Sequence, residues 1–255
     1  MKSQRMKDIK DYITKNESVT LKELCEVFNI SLNTVRRYVD EITKNSNIKK
    51  VYGGVCIQTP VSPLPTFTER HMTQHQIKEK IAKRAAEFIR ENDIIYVDSG
   101  TTTMHLIDYI PSQMPVTVIT NSYHIVHAAI NRPEIALIVV PGMLDRRTLS
   151  FTGENFQFLD SLNIHKSFMA CTGITVSDGA TNSFSAEYGN KKIAVRKADQ
   201  IFLMADSSKF GVSTLMTYCP LSDIDYIITD KMPDHQFVQA ISECDHSIIL
   251  CEDGN

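Results

Sequence analysis

The chain has 255 residues, 42% of them hydrophobic and 22% charged, which provides for one large or two smaller packed cores and excludes a disordered chain. No apolar stretch approaches the ~20 residues of a membrane span, and the polar start Met1-Lys2-Ser3-Gln4-Arg5 has no apolar signal core behind it, so a cytoplasmic protein is expected. The net charge of −3 hides an asymmetry: residues 1–57 hold 11 Lys/Arg against 7 Asp/Glu and the remainder 16 against 23, so only the front segment suits a polyanion.

Residues 4–14 read as a first helix with Met6, Ile9 and Ile13 on one side. Thr20-Leu21-Lys22-Glu23 reads as a capping box opening a second helix, with Leu21, Leu24, Cys25 and Phe28 at helical spacing. Asn29-Ile30 makes a turn, and Ser31 caps a third helix from Leu32 to about Lys44. On that helix Leu32, Val35, Val39 and Ile42 share one face, Asn33 and Arg37 lie opposite, and Thr34 and Arg36 stand at the edges. This is the pattern of a helix-turn-helix whose last helix enters the DNA major groove by its N-terminal end. Asn33, Thr34 and Arg37 would reach base edges or phosphates, Arg36 would hold phosphate, and Thr20 and Ser31 stand at the two helix starts. Ile48–Cys56 then reads as strand, glycine turn, strand: a small wing carrying Lys49, Lys50, Tyr52 and Gly53 toward the DNA backbone. Each basic residue taken singly also fits a solvated face; the order of the whole unit, 1–57, carries the reading.

Thr34-Val35-Arg36-Arg37 followed by Val51-Tyr52-Gly53-Gly54 resembles the DNA-binding domain of the DeoR family of bacterial transcriptional regulators. The family usually has Asp directly after the two arginines; this chain has Tyr38. Within the family, residues 19–55 look most like repressors of myo-inositol catabolism, through Leu24-Cys25-Glu26-Val27-Phe28 and Asn47-Ile48-Lys49-Lys50-Val51. That resemblance implies a phosphorylated keto-gluconate-type inducer, with galactitol, lactose and fructose pathway regulators as alternatives.

Residues 58–75 include Pro60, Pro63 and Pro65 and read as a semi-stiff linker. A helix follows over about Gln76–Arg90, with Ile77, Ile81, Ala85 and Phe88 inward. Strands are expected at Ile94–Val97, Val116–Ile119, Ile135–Val140, Ser167–Cys171, Ile201–Ala205, Tyr226–Thr229 and Ser247–Leu250, with helices near 123–131, 154–162, 185–198 and 233–243. The alternation argues a Rossmann-like α/β domain over 76–255, a mostly parallel sheet covered on both faces. Ligands in such sheets sit beyond the carboxyl ends of the strands. Those ends are Asp98–Thr103, Thr120-Asn121-Ser122, Pro141-Gly142, Thr172-Gly173 and Asp206-Ser207-Ser208-Lys209, with Arg147 and Gly153 nearby in sequence.

Ile94–Val97 running into Ser99, Gly100, Thr101, Thr102, Thr103 and then a helical apolar pattern reads as a phosphate cradle at a helix N-terminus. Plain helix capping is the competing reading. Lys209 offers a point charge or is an ordinary loop lysine; Asp98 and Asn121 could accept hydroxyl hydrogen bonds. By spacing alone Glu187 is an exposed helix residue. The stretch 69–230 resembles the DeoR effector domain, which is similar to ribose-5-phosphate isomerase and glucosamine-6-phosphate deaminase. That resemblance implies an effector site of Asp98–Thr103, Asn121, Ser122, Gly142, Arg147, Gly153, Glu187 and Lys209, and an α/β sensor domain that also oligomerises. The six cysteines form no Cys-x-x-Cys pair and are expected as free thiols; neither metal nor cofactor is expected. The resulting expectation is a transcriptional repressor of a carbohydrate operon, binding double-stranded operator DNA as a homo-oligomer and released by a sugar phosphate. The rival is a sugar-phosphate isomerase or deaminase, since Asp98, Glu187 and Lys209 are residue types that move protons.

Overall fold

The computed structural model describes residues 2–16, 18–43, 48–51, 54–57, 65–153, 156–244 and 246–252, in two units that divide between Leu64 and Pro65. The first comprises α1 (Lys2–Asn16), β1 (Ser18–Thr20), α2 (Leu21–Phe28), α3 (Leu32–Ile42), β2 (Ile48–Val51) and β3 (Gly54–Ile57). The strands form an antiparallel sheet in the order β1-β3-β2. The short strand Ser18–Thr20 was not expected from the sequence, because three residues carry too little alternation to read. Its partner is fixed by Gly54, where a Cβ would lie 2.5 Å from the carbonyl oxygen of Val19. The core of this unit joins Ile9, Ile13, Leu24, Val35, Val39 and Ile42 with Ile48 and Val55.

Two details of the helix reading change. Only half of the expected capping box forms: Thr20 Oγ1 accepts from Glu23 N at 3.1 Å, while Glu23 Oε1 accepts from the Tyr12 hydroxyl at 3.1 Å. Leu32 is 42% exposed, and Tyr38 takes its place on the buried face with Val35, Val39 and Ile42.

The second unit opens with α4 (Phe67–Met72) and α5 (His75–Ala86). Helix α4 lies inside the stretch expected as linker. A true capping box starts it, with Thr66 N donating to Glu69 Oε2 at 2.7 Å and Glu69 N to Thr66 Oγ1 at 3.3 Å. Phe67 is buried and stacks on His124 with ring centroids 4.3 Å apart, so the segment packs as part of the domain. Residues 58–64 lie outside the described residues.

Then follow β4 (Ile94–Val97), a 3₁₀ helix (Thr103–Tyr109), β5 (Val116–Thr120), α6 (Tyr123–Ala129), β6 (Ile135–Val139), β7 (Met143–Asp145), β8 (Ser150–Thr152), α7 (Phe156–Asp160) and β9 (Ile164–Met169). The chain ends with β10 (Gly173–Thr175), β11 (Gly179–Asn182), α8 (Ser185–Lys197), β12 (Ala198–Met204), β13 (Met216–Cys219), β14 (Tyr226–Thr229), α9 (His235–Glu243) and β15 (Ser247–Leu250). Seven strands form one parallel sheet in the order β15-β14-β12-β9-β4-β5-β6. One face packs α5, the 3₁₀ helix and α6 around Ile81, Val97, Leu106 and Phe168; the other packs α8 and α9 around Tyr96, Met169, Ala194 and Phe237. The strand order departs in opposite directions from β4 and β9, so the switch point lies between their carboxyl ends. The antiparallel sheet β10-β11-β13 and the hairpin β7-β8 were not expected; their strands of three or four residues leave little period to detect. The cysteines Cys25, Cys171, Cys219, Cys244 and Cys251 are free thiols, and no described helix is long and apolar enough to cross a membrane.

Candidate functional site

In the first unit, Ser31 caps α3 and accepts from Thr34 N at 3.4 Å, while the hydroxyls of Ser31 and Thr34 lie 3.0 Å apart. Asn33, Arg36 and Arg37 are exposed, and the Arg37 guanidinium lies 5.6 Å from the Tyr38 ring centroid. A buried tyrosine ring therefore lies within cation–π range of Arg37. Thr20 is the N-cap of α2. Lys49 and Lys50 lie on β2 of the expected wing hairpin, which pairs Lys50 with Val55; Tyr52 and Gly53 lie outside the described residues. The arrangement presents a helix N-terminus with one amide and two guanidinium side chains turned to solvent, the equipment of groove reading.

In the second unit a cavity of about 290 Å³ opens at the switch point. Three strand ends build it: Gly100, Thr101 and Thr102 after β4; Ala170, Cys171 and Thr172 after β9; Asp206, Ser208 and Lys209 after β12. Helices α4 and α5 close it with Glu69, Arg70 and Lys78. At Gly100 a Cβ would meet that of Ala170 at 2.2 Å, so glycine is what lets the loops after β4 and β9 come this close.

The cavity is cationic. Lys78 is 3% exposed, and its ammonium donates to the carbonyl oxygen of Arg70. Burial pushes its pKa down to about 8, with nearby Lys209 and Arg70 acting the same way and Asp206 opposing. Arg70 stacks between Phe67 and Phe184 at 5.6 and 5.1 Å, and its Nε and Nη2 are buried without a hydrogen-bond partner. Burial lowers its pKa as well. Among the described residues none of Arg70, Lys78 and Lys209 has a carboxylate within ion-pair distance. The two acids in the wall are engaged elsewhere, Glu69 in the cap of α4 and Asp206 with Ser208 N at 3.0 Å. Thr101 and Thr102 are 6% and 5% exposed, and their hydroxyls have no hydrogen-bond partner among the described residues. Burial pushes the pKa of the Cys171 thiol up to about 12.

Of the expected effector residues, Gly100, Thr101, Thr102 and Lys209 line this cavity. The others serve the loops around it. Asp98 is fully buried, pairs with Lys191 and accepts from Ala170 N at 3.0 Å through Oδ2. Glu187 is 4% exposed and accepts from Ser99 Oγ, Ser150 Oγ and Asn182 Nδ2 at 3.0, 3.0 and 3.1 Å. It is thus neither an exposed helix residue nor a cavity wall. Thr103 does not face a ligand: its hydroxyl accepts from Gly100 N and donates to Asp98 O. The element behind it is a 3₁₀ helix without a side-chain cap, so the expected α-helical N-terminus is absent there. Asn121 Oδ1 accepts from Tyr96 at 3.0 Å, and Ser122 caps α6. Gly142 packs against Thr152, where a Cβ would lie 2.7 Å from its carbonyl oxygen. Arg147 is exposed beside Asp145, 3.5 Å away, and Gly153 borders a separate groove of about 840 Å³ with Met143 and Phe156. Sequence reasoning missed Arg70 and Lys78. Lys78 carried a signal, because it falls on the buried stripe of α5 with Ile81, Ala82, Ala85 and Ala86.

The family model described as the DeoR C terminal sensor domain matches residues 73–231, and that of the DeoR-like helix-turn-helix domain matches residues 5–61. The chain is 41% identical over 244 residues to the HTH-type transcriptional regulator IolR of Bacillus subtilis (strain 168), covering 95% of this chain and 97% of that one. To the glycerol-3-phosphate regulon repressor of Escherichia coli (strain K12) it is 25% identical over 251 residues, covering 98% and 99%. The solved ribose 5-phosphate isomerase A of Methanocaldococcus jannaschii overlays 53% of this chain and 54% of its own at a TM-score of 0.40 and 17% identity. With a third helix that turns Arg36 and Arg37 to solvent, a parallel-sheet unit and these family matches along nearly its whole length, the chain belongs to the DeoR family of helix-turn-helix transcriptional regulators.

Proposed function

We propose that this regulator represses a carbohydrate-catabolism operon and that its operator affinity falls when a phosphorylated sugar occupies the cavity at the switch point. One observation carries the reading: among the described residues Arg70, Lys78 and Lys209 converge without carboxylate ion pairs on a cavity where the Thr101 and Thr102 hydroxyls have no hydrogen-bond partner. Unpaired cations this close together repel one another, and a dianion relieves that repulsion while accepting from the threonines. The volume of about 290 Å³ suits one phosphorylated monosaccharide. The likeness to IolR and the front-segment resemblance favour a phosphorylated keto-gluconate among the candidates.

The ligand must bind the released conformation more tightly than the DNA-bound one, since equal affinity for both shifts nothing. A single winged helix contacts a short half-site, so a symmetric homo-oligomer on repeated sites is part of the proposal. Asp98 and Glu187, the candidate proton carriers, do not line the cavity and are tied to Lys191, Ser99, Ser150 and Asn182, which favours sensing over turnover.

The test is fluorescence anisotropy of the full chain on DNA from its own upstream region, with a panel of sugar phosphates that includes phosphorylated keto-gluconates. Consumption of each compound is followed in the same samples. Release of DNA by at least one panel member without turnover supports the proposal; turnover, or release by none, overturns it.

A further inference from the structure

Beside the cavity, and not part of it, three imidazoles meet. His71 ends α4 but for one residue, His75 is the first residue of α5, and His105 lies on the 3₁₀ helix. The ring centroids of His71 and His75 are 4.7 Å apart, those of His75 and His105 5.1 Å, and those of His71 and His105 5.6 Å. One nitrogen from each ring lies within 4.8 Å of the other two. We propose that His71, His75 and His105 bind a divalent transition metal ion of borderline softness, with Zn²⁺ the best match.

The donor set is the first argument. Three neutral imidazoles are the ligands that Zn²⁺, Co²⁺ and Ni²⁺ share, while Mg²⁺ and Ca²⁺ want oxygen. Ligand nitrogens about 2.0–2.1 Å from a tetrahedral Zn²⁺ lie about 3.3 Å from one another. The triad therefore needs side-chain rotations that close the longest gap by about 1–1.5 Å, with no backbone change.

The second argument is hydrogen-bond accounting. His71 Nδ1 and His105 Nε2 are both buried with no hydrogen-bond partner. Buried polar atoms are ordinarily satisfied, so two such orphans in adjoining rings call for an explanation. A shared metal ion supplies one.

The third argument is the surrounding shell. His75 Nδ1 lies 3.6 Å from Glu79 Oε2, one helical turn on. A small side-chain rotation brings that carboxylate into hydrogen-bond reach of the ring, where on the non-ligating nitrogen it would fix the tautomer and raise the basicity of the histidine. The His75 side chain is 41% exposed, which leaves the fourth position to water. Lys78 is the opposing charge in this neighbourhood, and Glu79 the favourable one. An ion here would clamp the end of α4, the start of α5 and the 3₁₀ helix together across Gln74, whose backbone is in the left-handed region at φ 54° and ψ 37°.

The full, tag-free chain, stripped with a chelator, is titrated with Zn²⁺ against a chromophoric chelator and with Co²⁺ by visible spectroscopy. One ion per chain with micromolar or tighter affinity, a tetrahedral Co²⁺ band and a raised melting temperature are expected. Glu79→Gln weakens binding about 10–100-fold, as loss of such a carboxylate does. His105→Ala and His75→Asn each weaken it further, and His235→Ala, on α9, leaves it unchanged. The half-exposed His75 keeps the test decisive should His105→Ala fail to fold. Binding that is no tighter than millimolar, or that survives in His75→Asn, overturns the proposal.

Discussion

Replacing Lys78 by Met removes one positive charge and keeps most of the side-chain volume. The structure gives the two consequences opposite signs. Burial has lowered the lysine's pKa from 10.5 to about 8, a preference for the neutral amine of about 3 kcal/mol that the ligand-free fold bears below pH 8. The substitution removes that penalty and loses the charged hydrogen bond to the Arg70 carbonyl, about 1.5–3 kcal/mol. Lys78→Met is therefore expected to leave the ligand-free protein as stable as the parent or up to about 1.5 kcal/mol more stable at pH 7, read by urea denaturation. A hydrogen bond from a charged donor is worth about 1.5–3 kcal/mol, so affinity for a sugar phosphate should fall by about 10- to 150-fold. Calorimetry of both proteins with the strongest binder of the panel measures this. A variant whose stability and affinity fall together would show Lys78 to be a packing residue and refute the reasoning; so would an affinity within twofold of the parent.

The same lysine gives a pH dependence. Its folded-state pKa is lowered, so between pH 8 and 10.5 the unfolded chain holds more protons, and the ligand-free protein becomes more stable as pH rises through that window. Phosphate affinity moves the other way, level between about pH 7 and 8, where the phosphate is a dianion, and falling by up to about tenfold per pH unit above pH 8, as calorimetry at a series of pH values will show. Thr102→Leu fills the cavity wall and should abolish release by the sugar phosphate while operator binding, followed by anisotropy, persists. Arg37→Ala should do the reverse, weakening operator binding about 10- to 100-fold if the guanidinium reads a base edge and leaving calorimetric effector binding intact. Lys191→Met should destabilise the fold by about 3–5 kcal/mol in urea, since it leaves Asp98 buried and uncompensated, and Asp98→Leu in the same chain should restore much of that loss.

The recognition helix was legible because its period is long and its cap is strong: Ser31 starts it, and Val35, Val39 and Ile42 are buried where spacing places them. Tyr38 was not legible, because a tyrosine's ring can bury while its hydroxyl stays wet, so spacing alone does not assign it a side. The seven parallel strands were legible as short β-rich apolar runs alternating with helices. Helix α4 was hidden by the prolines at 60, 63 and 65, which drew the linker reading past the capping residue Thr66. At the site, loop residues after strands were visible through strand ends, whereas Arg70 and Lys78 arrive from helices packed over those ends. The histidine triad was invisible for a related reason: His71 and His75 straddle a helix break, and His105 lies 30 residues further on.

Asp98 and Glu187 have the residue types of proton carriers and stand beside the loop where a sugar phosphate would react. Glu187 is buried in a web of donors, and Asp98 takes its donors on Oδ2 while Oδ1 is buried without a hydrogen-bond partner among the described residues. Lys191 reaches Asp98 from 93 positions away in sequence, and Glu187 draws Ser99, Ser150 and Asn182 onto α8. A general base needs a lone pair within hydrogen-bond reach of the substrate proton. These lone pairs instead fix the backbone that presents Gly100, Thr101 and Thr102. The same network holds the strand ends that form one wall of the cavity, to which β12 adds Lys209, while Arg70 and Lys78 come from α4 and α5. Arg70 and Lys78 on those two helices are buried charges held below their ordinary pKa by burial, so it is their environment that a bound dianion changes most.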